Sequence, residues 1–232
     1  MNVTTKMKAA APVRPDLDPD LNNLAMSTEA QPLFDAVKKH IEDNVAPISD
    51  EFFRLGEGRK DNWSWAPGQL ELLEGAKNKA KASGLWNFFL PHSEIGRGLT
   101  NLDYAYIAAE LGKQPLASES LNCSAPDTGN MEVLEKVGTP EQKEKWLKPL
   151  LNGEIRSAYA MTEPNVASSD AKNVATRAEL DGDDWVINGE KYYISGAGDP
   201  RCKIMITMVK TSPDAYRSSS SRRSWCPSTR RA

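Results

Sequence analysis

The residues that could do chemistry are gathered in one short stretch, 158–171, with the sequence AYAMTEPNVASSDA. It begins as an apolar, strand-like run, and its polar side chains then include Thr162, Glu163, Ser168 and Ser169. A strand that ends in hydroxyl groups and alanines, without bulky side chains, leaves its backbone open to a ligand. We interpret the stretch as a place where a flat or charged molecule lies against the chain.

Other kinds of chemistry lack the residues that they need. The sequence has two histidines and three widely separated cysteines, which are His40, His92, Cys123, Cys202 and Cys226. Neither a zinc site nor a Ser-His-Asp triad is therefore predicted. An odd number of dispersed cysteines is typical of a reducing compartment. The net charge of −3, with acidic and basic residues interleaved, gives no indication of a nucleic-acid partner.

No membrane-spanning or secretory segment is predicted. The sequence has no apolar run long enough to cross a bilayer, and residues 1–27 have no apolar secretory core. Three aspartates follow the few cations of this segment, which argues against a mitochondrial transit peptide, so we expect a flexible leader. The expected location is the cytoplasm or the interior of a mitochondrion or peroxisome.

Residues 28–153 are predicted to form a helical domain. An apolar residue at every fourth position from Leu33 to Val45 makes one stripe of a first helix, which Pro47 should kink or end. A second helix should run from Pro67 to Ser83-Gly84. The apolar segment LWNFFLPHSEIGRG that follows is expected to pack as a loop.

Two capping boxes mark the starts of further helices. Thr100 and Asp103 resemble one such box, which opens a helix that runs to Gly112. In TPEQKEKWLKPLLNGE, Thr139 is the predicted cap and Gln142 stands at the reciprocal position. This last helix should lead into the second half of the chain.

After Gly153 the periodicity changes to that of strands. The runs EIRSAYAMTE, NVATRAEL, WVI, KYYIS and KIMITMV are strand-like, and turn signals stand at 181–183 and at Asn188-Gly189, the stronger hairpin signal. Helices followed by strands predict an α+β fold, in which an antiparallel β domain, an incomplete sandwich or barrel, covers 154–213. No glycine-rich phosphate loop is present, so a doubly wound nucleotide-binding sheet is not predicted.

Three ordered motifs resemble those of the acyl-CoA dehydrogenase family of flavoenzymes. Residues 159–164 match its Tyr-x-x-Thr-Glu-Pro signature, and Ser169-Asp170 match the Ser-Asp that ends it. Residues 193–196 match a second signature, an aromatic residue followed by Ile, by Ser or Thr, and by Gly or Asn. The segment GTPEQKEKWLKPLLNGE is similar to the family's lead-in to its β domain. The resemblance covers residues 28–213.

This resemblance implies an FAD site on the first motif. The backbone of Tyr159, Ala160, Met161 and Thr162 would line the isoalloxazine ring. The Thr162 hydroxyl would hydrogen-bond the pyrimidine side, where negative charge collects on reduction. The protein would orient and tune the cofactor, which supplies the hydride chemistry.

The second motif would complete the site. Tyr193 would stack near the ring, Ile194 would lie beside it, and Ser195 would donate towards the flavin N5 atom that receives hydride. The small residues up to Ser168 would let the backbone approach the cofactor closely. Ser169 would face the CoA part of the substrate.

The implied activity is FAD-dependent α,β-dehydrogenation of an acyl-CoA thioester to the trans-2-enoyl-CoA, of the fatty-acid β-oxidation type. The implied partners are an electron-transfer flavoprotein as acceptor and further copies of the full-length chain. In the family, a carboxylate of a C-terminal helical domain removes the α-proton, and this sequence ends before such a domain. No catalytic residue is therefore assigned, and the chain alone is expected to show little turnover.

Two alternatives stay open. The chain could be a catalytically inactive fragment or a CoA- or flavin-binding module of the same fold, or it could belong to an acyl-CoA oxidase-like or nitroalkane-oxidising relative. Each motif also has a purely structural explanation: Thr162–Pro164 could end a strand, Ser168–Asp170 could cap a turn, and Tyr192-Tyr193 could pack on a sheet. Only their ordered combination favours the cofactor site. An incomplete β domain also predicts poor solubility or reliance on a partner.

Residues 214–232 differ from the rest of the chain. From Tyr216 onward the sequence YRSSSSRRSWCPSTRRA has no acidic residue and no strand alternation, as in a solvated basic tail. A second hypothesis is that translation leaves its original frame near Ala215. Codons can be chosen for 221–232 that, read one base earlier, give Gln-Ser-Gln-Ile-Met-Val-Pro-Ile-Asp-Thr-Pro-Gly, which resembles the family's next strand and turn.

Sequencing the gene tests the frameshift hypothesis. We expect the neighbouring frame beyond the codon of Ala215 to encode that strand-like continuation. An intact frame whose neighbour encodes nothing of the kind would remove the hypothesis and leave the basic tail.

Overall fold

The computed structural model describes residues 24–90 and 95–211, together with the backbone of 221–227. In this part of the chain eight α-helices precede a five-stranded sheet, which confirms the α+β class. The helices are α1 (Gln31–His40), α2 (Ala46–Gly56), α3 (Gln69–Ala82), α4 (Asn101–Leu111), α5 (Ala117–Ser120), α6 (Asp127–Val137), α7 (Pro140–Gln142) and α8 (Lys148–Leu151). The strands are β1 (Arg156–Ala160), β2 (Arg177–Asp181), β3 (Asp184–Asn188), β4 (Cys202–Lys210) and β5 (Ser221–Pro227).

The helices bury one apolar core, into which the first predicted stripe points. Val37 and Val45 of this stripe are fully buried, and so is Phe88 of the predicted apolar loop. One residue of β4, Ile204, belongs to the same core, so the sheet packs directly on the helices. Burial of this apolar surface is the main favourable term in holding the two parts together.

Pro47 begins a new helix after a change in helical winding. Helix α1 passes into a π-helical turn, Ile41–Val45, and α2 follows with Pro47 in its first turn. At this position the missing N–H of proline costs no helical hydrogen bond. The first α-helix therefore ends before the residue that was predicted to kink or end it.

Both predicted capping boxes are confirmed. Thr100 Oγ1 accepts from the Asp103 N–H at 3.0 Å, and the Asp103 carboxylate accepts from the Thr100 N–H at 3.2 Å. Thr139 and Gln142 make the same reciprocal pair, at 3.0 and 3.3 Å. The helix that follows Thr139 includes a second π-helical turn, Lys143–Leu147, between α7 and α8.

The sheet is mixed, with the strand order β1-β4-β2-β3 and β5 also paired with β4. The β2–β3 and β4–β5 pairs are antiparallel, as predicted for the whole domain. The β1–β4 and β2–β4 pairs are parallel instead. A parallel pair needs a long crossover connection, and the segment 161–201 supplies it.

The hairpin turn lies at Gly182-Asp183, within the predicted turn 181–183, and not at Asn188-Gly189, where the hairpin signal is stronger. Residues 189–194 form no strand. Gly189 instead packs against Thr176, so closely that a Cβ on Gly189 would lie 2.4 Å from Thr176 Oγ1. Because Arg177 pairs with Asn188, Gly189 lies opposite Thr176 in the same register, and the chain continues along β2 instead of turning back on β3.

The two terminal segments of the sequence take part in the fold where the structure describes them. Residues 24–27 fall within the predicted leader, yet the buried Ser27 donates its N–H to the buried Asp103 at 2.8 Å. Residues 221–227 fall within the predicted basic tail, and their backbone forms β5 on β4. The remaining residues of both segments lie outside the described ranges.

A cluster of buried charges joins the helices to the sheet. Arg156, at the start of β1, places its Nε 2.7 Å from Asp127 Oδ2 on α6 and its NH1 3.1 Å from Glu119 Oε2 on α5. Glu119 Oε1 lies 2.6 Å from Arg201 and 3.2 Å from Lys77, which is 2% exposed. We call these five residues the charge cluster.

Burial and ion pairing oppose each other within the charge cluster. For Glu119, burial would raise the pKa, but Arg156, Arg201 and Lys77 outweigh it, and the pKa is lowered. For Asp127, burial outweighs the attraction of Arg156, and the pKa is raised. The cluster therefore depends on each of its cations to offset the cost of burying two carboxylates.

Neither a membrane helix nor a metal cluster is found in the described ranges. No helix there has the length and apolar character needed to cross a bilayer. No group of three or more His, Cys, Asp or Glu side chains there could hold a metal ion. Cys123 and Cys202 are buried.

Arg156→Met should lower the free energy of unfolding by about 3 kcal/mol or more, because it leaves two buried carboxylates without their shared cation. Urea unfolding followed by circular dichroism measures this change. Lys39→Met provides the control, since Lys39 forms an exposed ion pair with Asp43 on the helix surface, and little change is expected. Equal and small effects of the two substitutions would contradict the role given to the charge cluster.

Candidate functional site

The buried carboxylate of Glu163 organises the chain where it leaves β1. Its Oε2 accepts from the Ala175 N–H at 2.6 Å, and its Oε1 accepts from the Thr176 N–H at 2.9 Å. The Lys191 ammonium donates to the same Oε1 at 2.8 Å. Three segments that are distant in the sequence therefore converge on one side chain.

These donors stabilise the charged form of Glu163. Burial would raise the pKa of this carboxyl, but the hydrogen bonds from Lys191 and from the backbone N–H groups lower the pKa from 4.5 to about 2. A carboxylate with so low a pKa and three donors is a poor general base. The structure thus gives Glu163 a structural role.

Two further hydrogen bonds place the second motif beside the first. The Tyr192 N–H donates to the Thr162 carbonyl at 2.9 Å, and Lys191 Nζ donates to the Met161 carbonyl at 3.1 Å. The end of the first motif and the start of the second therefore run side by side, although 28 residues separate Glu163 from Lys191.

Tyr193 is displayed to solvent by an unusual backbone. Its φ is 54°, in the left-handed region that residues other than glycine rarely adopt. Its side chain is 78% exposed, and its ring centroid lies 3.8 Å from that of Tyr192. An aromatic ring kept in water by a strained backbone marks this position as one where a ligand can cover it.

A cavity of about 510 Å³ lies beside the second motif. Its walls are aromatic, small or polar side chains from both halves of the chain: Trp63, Lys191, Tyr193, Ile194, Ser195, Ala197, Gly198 and Met205. This combination of apolar walls with a few polar groups is typical of cofactor sites.

The predicted site residues divide into two groups. Tyr193, Ile194 and Ser195 line the cavity. Met161 and Thr162 are joined to it through the hydrogen bonds of their carbonyl groups to Lys191 and Tyr192.

The remaining predicted residues lie on β1 and in the loop after Pro164. On β1, Tyr159 is half-buried and Ala160 is buried. Ser168 is buried, and its Oγ accepts the Glu163 N–H at 2.9 Å, so this hydroxyl holds the loop. Ser169 is exposed, as its predicted contact with a substrate requires.

The sequence analysis missed several residues of the cavity. Lys191 stands within the strand-like run KYYIS, where an alternating pattern indicates sheet packing rather than a site. Trp63 comes from the segment between α2 and α3, so no local pattern connects it with the second motif. A third contributor, Met205, lies on β4 opposite Ala158 of β1.

A second, larger cavity of about 670 Å³ lies on the helical part. It is lined by Trp86, three lysines and other residues of the region 81–154. None of the residues of the two motifs lines it. It offers neither the convergent hydroxyls nor the aromatic pair of the first cavity, so we base the candidate site on the first.

Comparisons with known proteins match both halves of the chain to one family. The sequence profile described as "Acyl-CoA dehydrogenase, N-terminal domain" matches residues 27–154, and that described as "Acyl-CoA dehydrogenase, middle domain" matches residues 158–222. The chain is 50% identical over 184 residues to the Mycobacterium tuberculosis protein named "Probable acyl-CoA dehydrogenase FadE2". The match covers 79% of this chain and 43% of that protein.

Solved structures of similar fold lead to the same family. A Mycobacterium abscessus protein assigned to the acyl-CoA dehydrogenases superposes with a TM-score of 0.78 at 44% identity, over 88% of this chain and 51% of the other. A glutaryl-CoA dehydrogenase from Mycobacterium smegmatis, solved in complex with FADH2, gives a TM-score of 0.62 over 90% of this chain and 48% of the other. At 20% identity the latter shows a common fold alone. The chain therefore spans about half the length of the proteins that it matches, or less.

Glu163→Gln should destabilise the fold in a pH-dependent way. Because the pKa of Glu163 is lower in the folded protein, the stabilisation by its charge is fully present above about pH 4.5 and is lost as the pH falls towards 2. We expect a loss of about 3 kcal/mol at pH 7, and a shrinking difference from the wild type below pH 4.5. Urea unfolding over this pH range measures the difference.

Glu179→Gln is the matched control for this substitution, because Glu179 is an exposed glutamate of β2. It should leave the unfolding free energy close to that of the wild type at every pH. A Glu163→Gln deficit that stayed constant from pH 7 to pH 3 would contradict the proposed charge pairing.

Proposed function

Because the chain belongs to the acyl-CoA dehydrogenase family, we propose that it provides the isoalloxazine part of an FAD site for the α,β-dehydrogenation of an acyl-CoA thioester. The supporting observation is that Tyr193 and Ser195 line one cavity, while the Tyr192 N–H holds the Thr162 carbonyl beside the segment that carries them. Glu163 and Lys191 join the same two segments. The family is one of flavoproteins, whose shared task is oxidoreduction.

The residues at the cavity fit a flavin by their chemistry. Trp63 and Tyr193 offer aromatic surface to a planar ring, and the small Ala197 leaves room beside them. The exposed hydroxyl of Ser195 can donate to a ring nitrogen. A planar cofactor with a polar edge requires this mixture of flat, small and hydrogen-bonding groups.

Each residue has a separate task in this proposal. When bound, FAD would supply the chemistry by accepting the hydride that leaves the β-carbon of the acyl group. Ser195 would donate a hydrogen bond towards the flavin N5, and the Thr162 hydroxyl would donate towards the pyrimidine edge. Lys191 holds these two segments in register through its bonds to Met161 and Glu163. Ser169 would contact the CoA part of the substrate.

Removal of the α-proton requires a base that these residues do not supply. The described residues that line the cavity include no aspartate or glutamate. Glu163 is unsuitable, since its pKa is about 2 and its oxygen atoms accept three hydrogen bonds. We propose that the base, the electron-transfer flavoprotein acceptor and further subunits belong to the activity of the whole protein.

The lack of a carboxylate in the cavity wall also favours a second candidate function. The chain by itself would then be a flavin- or CoA-binding module that binds without turnover. The two candidates differ in one measurable step, the bleaching of bound flavin by an acyl-CoA.

Flavin retention tests the binding part of the proposal. We expect the 232-residue chain, incubated with FAD and passed through gel filtration, to keep an absorption band on the order of 450 nm, as flavins show. Ser195→Ala should weaken FAD binding about three- to tenfold because one hydrogen bond is lost. Ser83→Ala, which removes an exposed hydroxyl from the helical part, should leave FAD affinity unchanged.

The bleaching step decides between the candidates. Loss of the flavin band on anaerobic addition of a series of acyl-CoA thioesters would support the dehydrogenase. A stable flavin band would support the binding module. A chain that is colourless after incubation with excess FAD and gel filtration would refute the dehydrogenase and the flavin-binding module.

A further inference from the structure

Trp63 is the residue of the helical part that reaches the candidate cofactor cavity. It lies between α2 and α3, while the other lining residues come from the segment 191–205. Its indole lies directly on the backbone of Gly198, where a Cβ would come within 2.0 Å of a carbon atom of the ring. The cavity is therefore completed by a contact between the two halves of the chain.

Local hydrogen bonds fix the backbone that carries Trp63. Asp61 Oδ1 accepts from the N–H groups of Trp63 and Ser64, each at 2.7 Å. These bonds lower the pKa of the Asp61 carboxyl. They form a turn in which the side chain itself replaces a backbone acceptor, so the indole leaves the chain in a set direction.

Trp65, two residues after Trp63, contacts the loop that contains Gly198. Trp65 Nε1 donates to Asp199 Oδ1 at 3.4 Å, and the Arg201 guanidinium lies 4.6 Å from the centroid of the Trp65 ring. Arg201 belongs to the charge cluster and also binds Asp199. The loop that contains Gly198 is thus anchored from the same segment that presents Trp63.

The indole keeps a large free surface in spite of these anchors. Trp63 is 52% exposed, although it packs on Gly198. It shares its cavity with Tyr193, a second aromatic side chain with a mostly exposed ring. Two aromatic side chains that expose their surfaces at one cavity are the arrangement that a planar aromatic ligand can cover.

We propose that Trp63 is a flavin-contacting residue, and that the helical half of the chain supplies through it one wall of the FAD site. This inference rests on the proposed function. It gives residues 57–65, which lie outside both sequence motifs, a role in cofactor affinity.

The test compares two tryptophans of nearly equal exposure. The Trp63→Ala variant should bind FAD about three- to tenfold more weakly than the wild-type chain, because an aromatic contact with the flavin is lost. Trp185→Ala removes an indole that is 50% exposed on β3 and does not line the cavity, and it should leave the affinity within about twofold. Titration of FAD fluorescence gives the dissociation constants, and the melting temperature of the FAD-free proteins reports on folding.

Gly198→Ala gives an independent variant that keeps every aromatic residue. Its added methyl group needs the space of the Trp63 ring and must displace it, so it should weaken FAD binding in the same direction as Trp63→Ala. Trp63→Phe, which keeps an aromatic ring, should retain most of the affinity. These two variants keep the test valid even if Trp63→Ala fails to fold.

The outcomes separate this inference from the function on which it rests. Weaker FAD binding in Trp63→Ala and Gly198→Ala, with normal binding in Trp185→Ala, supports the flavin contact. Equal affinity of Trp63→Ala and Trp185→Ala, with a wild-type chain that binds FAD, overturns the contact and leaves the proposed function standing. A wild-type chain that binds no FAD overturns both.

Discussion

The candidate site depends on one buried carboxylate that satisfies three donors. Glu163 accepts hydrogen bonds from Ala175, Thr176 and Lys191, and it lies in a third segment, distant in the sequence from both of theirs. A buried charge is stable only when hydrogen bonds or ions compensate it, so the three segments must close around this side chain together. The closure sets Thr162 beside Tyr192, and with it the first motif beside the second.

The charge cluster performs a similar task at the boundary between helices and sheet. Buried ion pairs add little net stability, because desolvation offsets much of their attraction. They are, however, strongly directional: Arg156 must face Asp127 and Glu119 at the same time. The orientation of β1 against α5 and α6 is therefore fixed. Arg201 joins the loop that carries Gly198 to the same cluster.

Local signals in the sequence predicted the local features correctly. The boxes of Thr100 and Thr139, the apolar stripe of the first helix and the order of helices before strands were all readable, because each depends on residues within one or two turns of one another. The motif residues were found through their resemblance to a family. Long-range features were not readable: Gly189 continues the β2–β3 register opposite Thr176 in spite of the hairpin signal, and Trp63 reaches the cavity across 135 positions of sequence, from residue 63 to residue 198.

The parallel pairing of β1 with β4 divides this part of the chain into two: a frame, formed by the two paired strands, and an insert between them, residues 161–201. Both ends of the segment 161–201 are fixed by neighbouring strands, at Ala160 and at Cys202, while most of the cavity wall belongs to this insert. Its loops can change in length without disturbing the frame, provided that Glu163 keeps its donors. Changes of loop length within this insert would reshape most of the cavity wall and leave Trp63 and Met205 of the remaining wall in place.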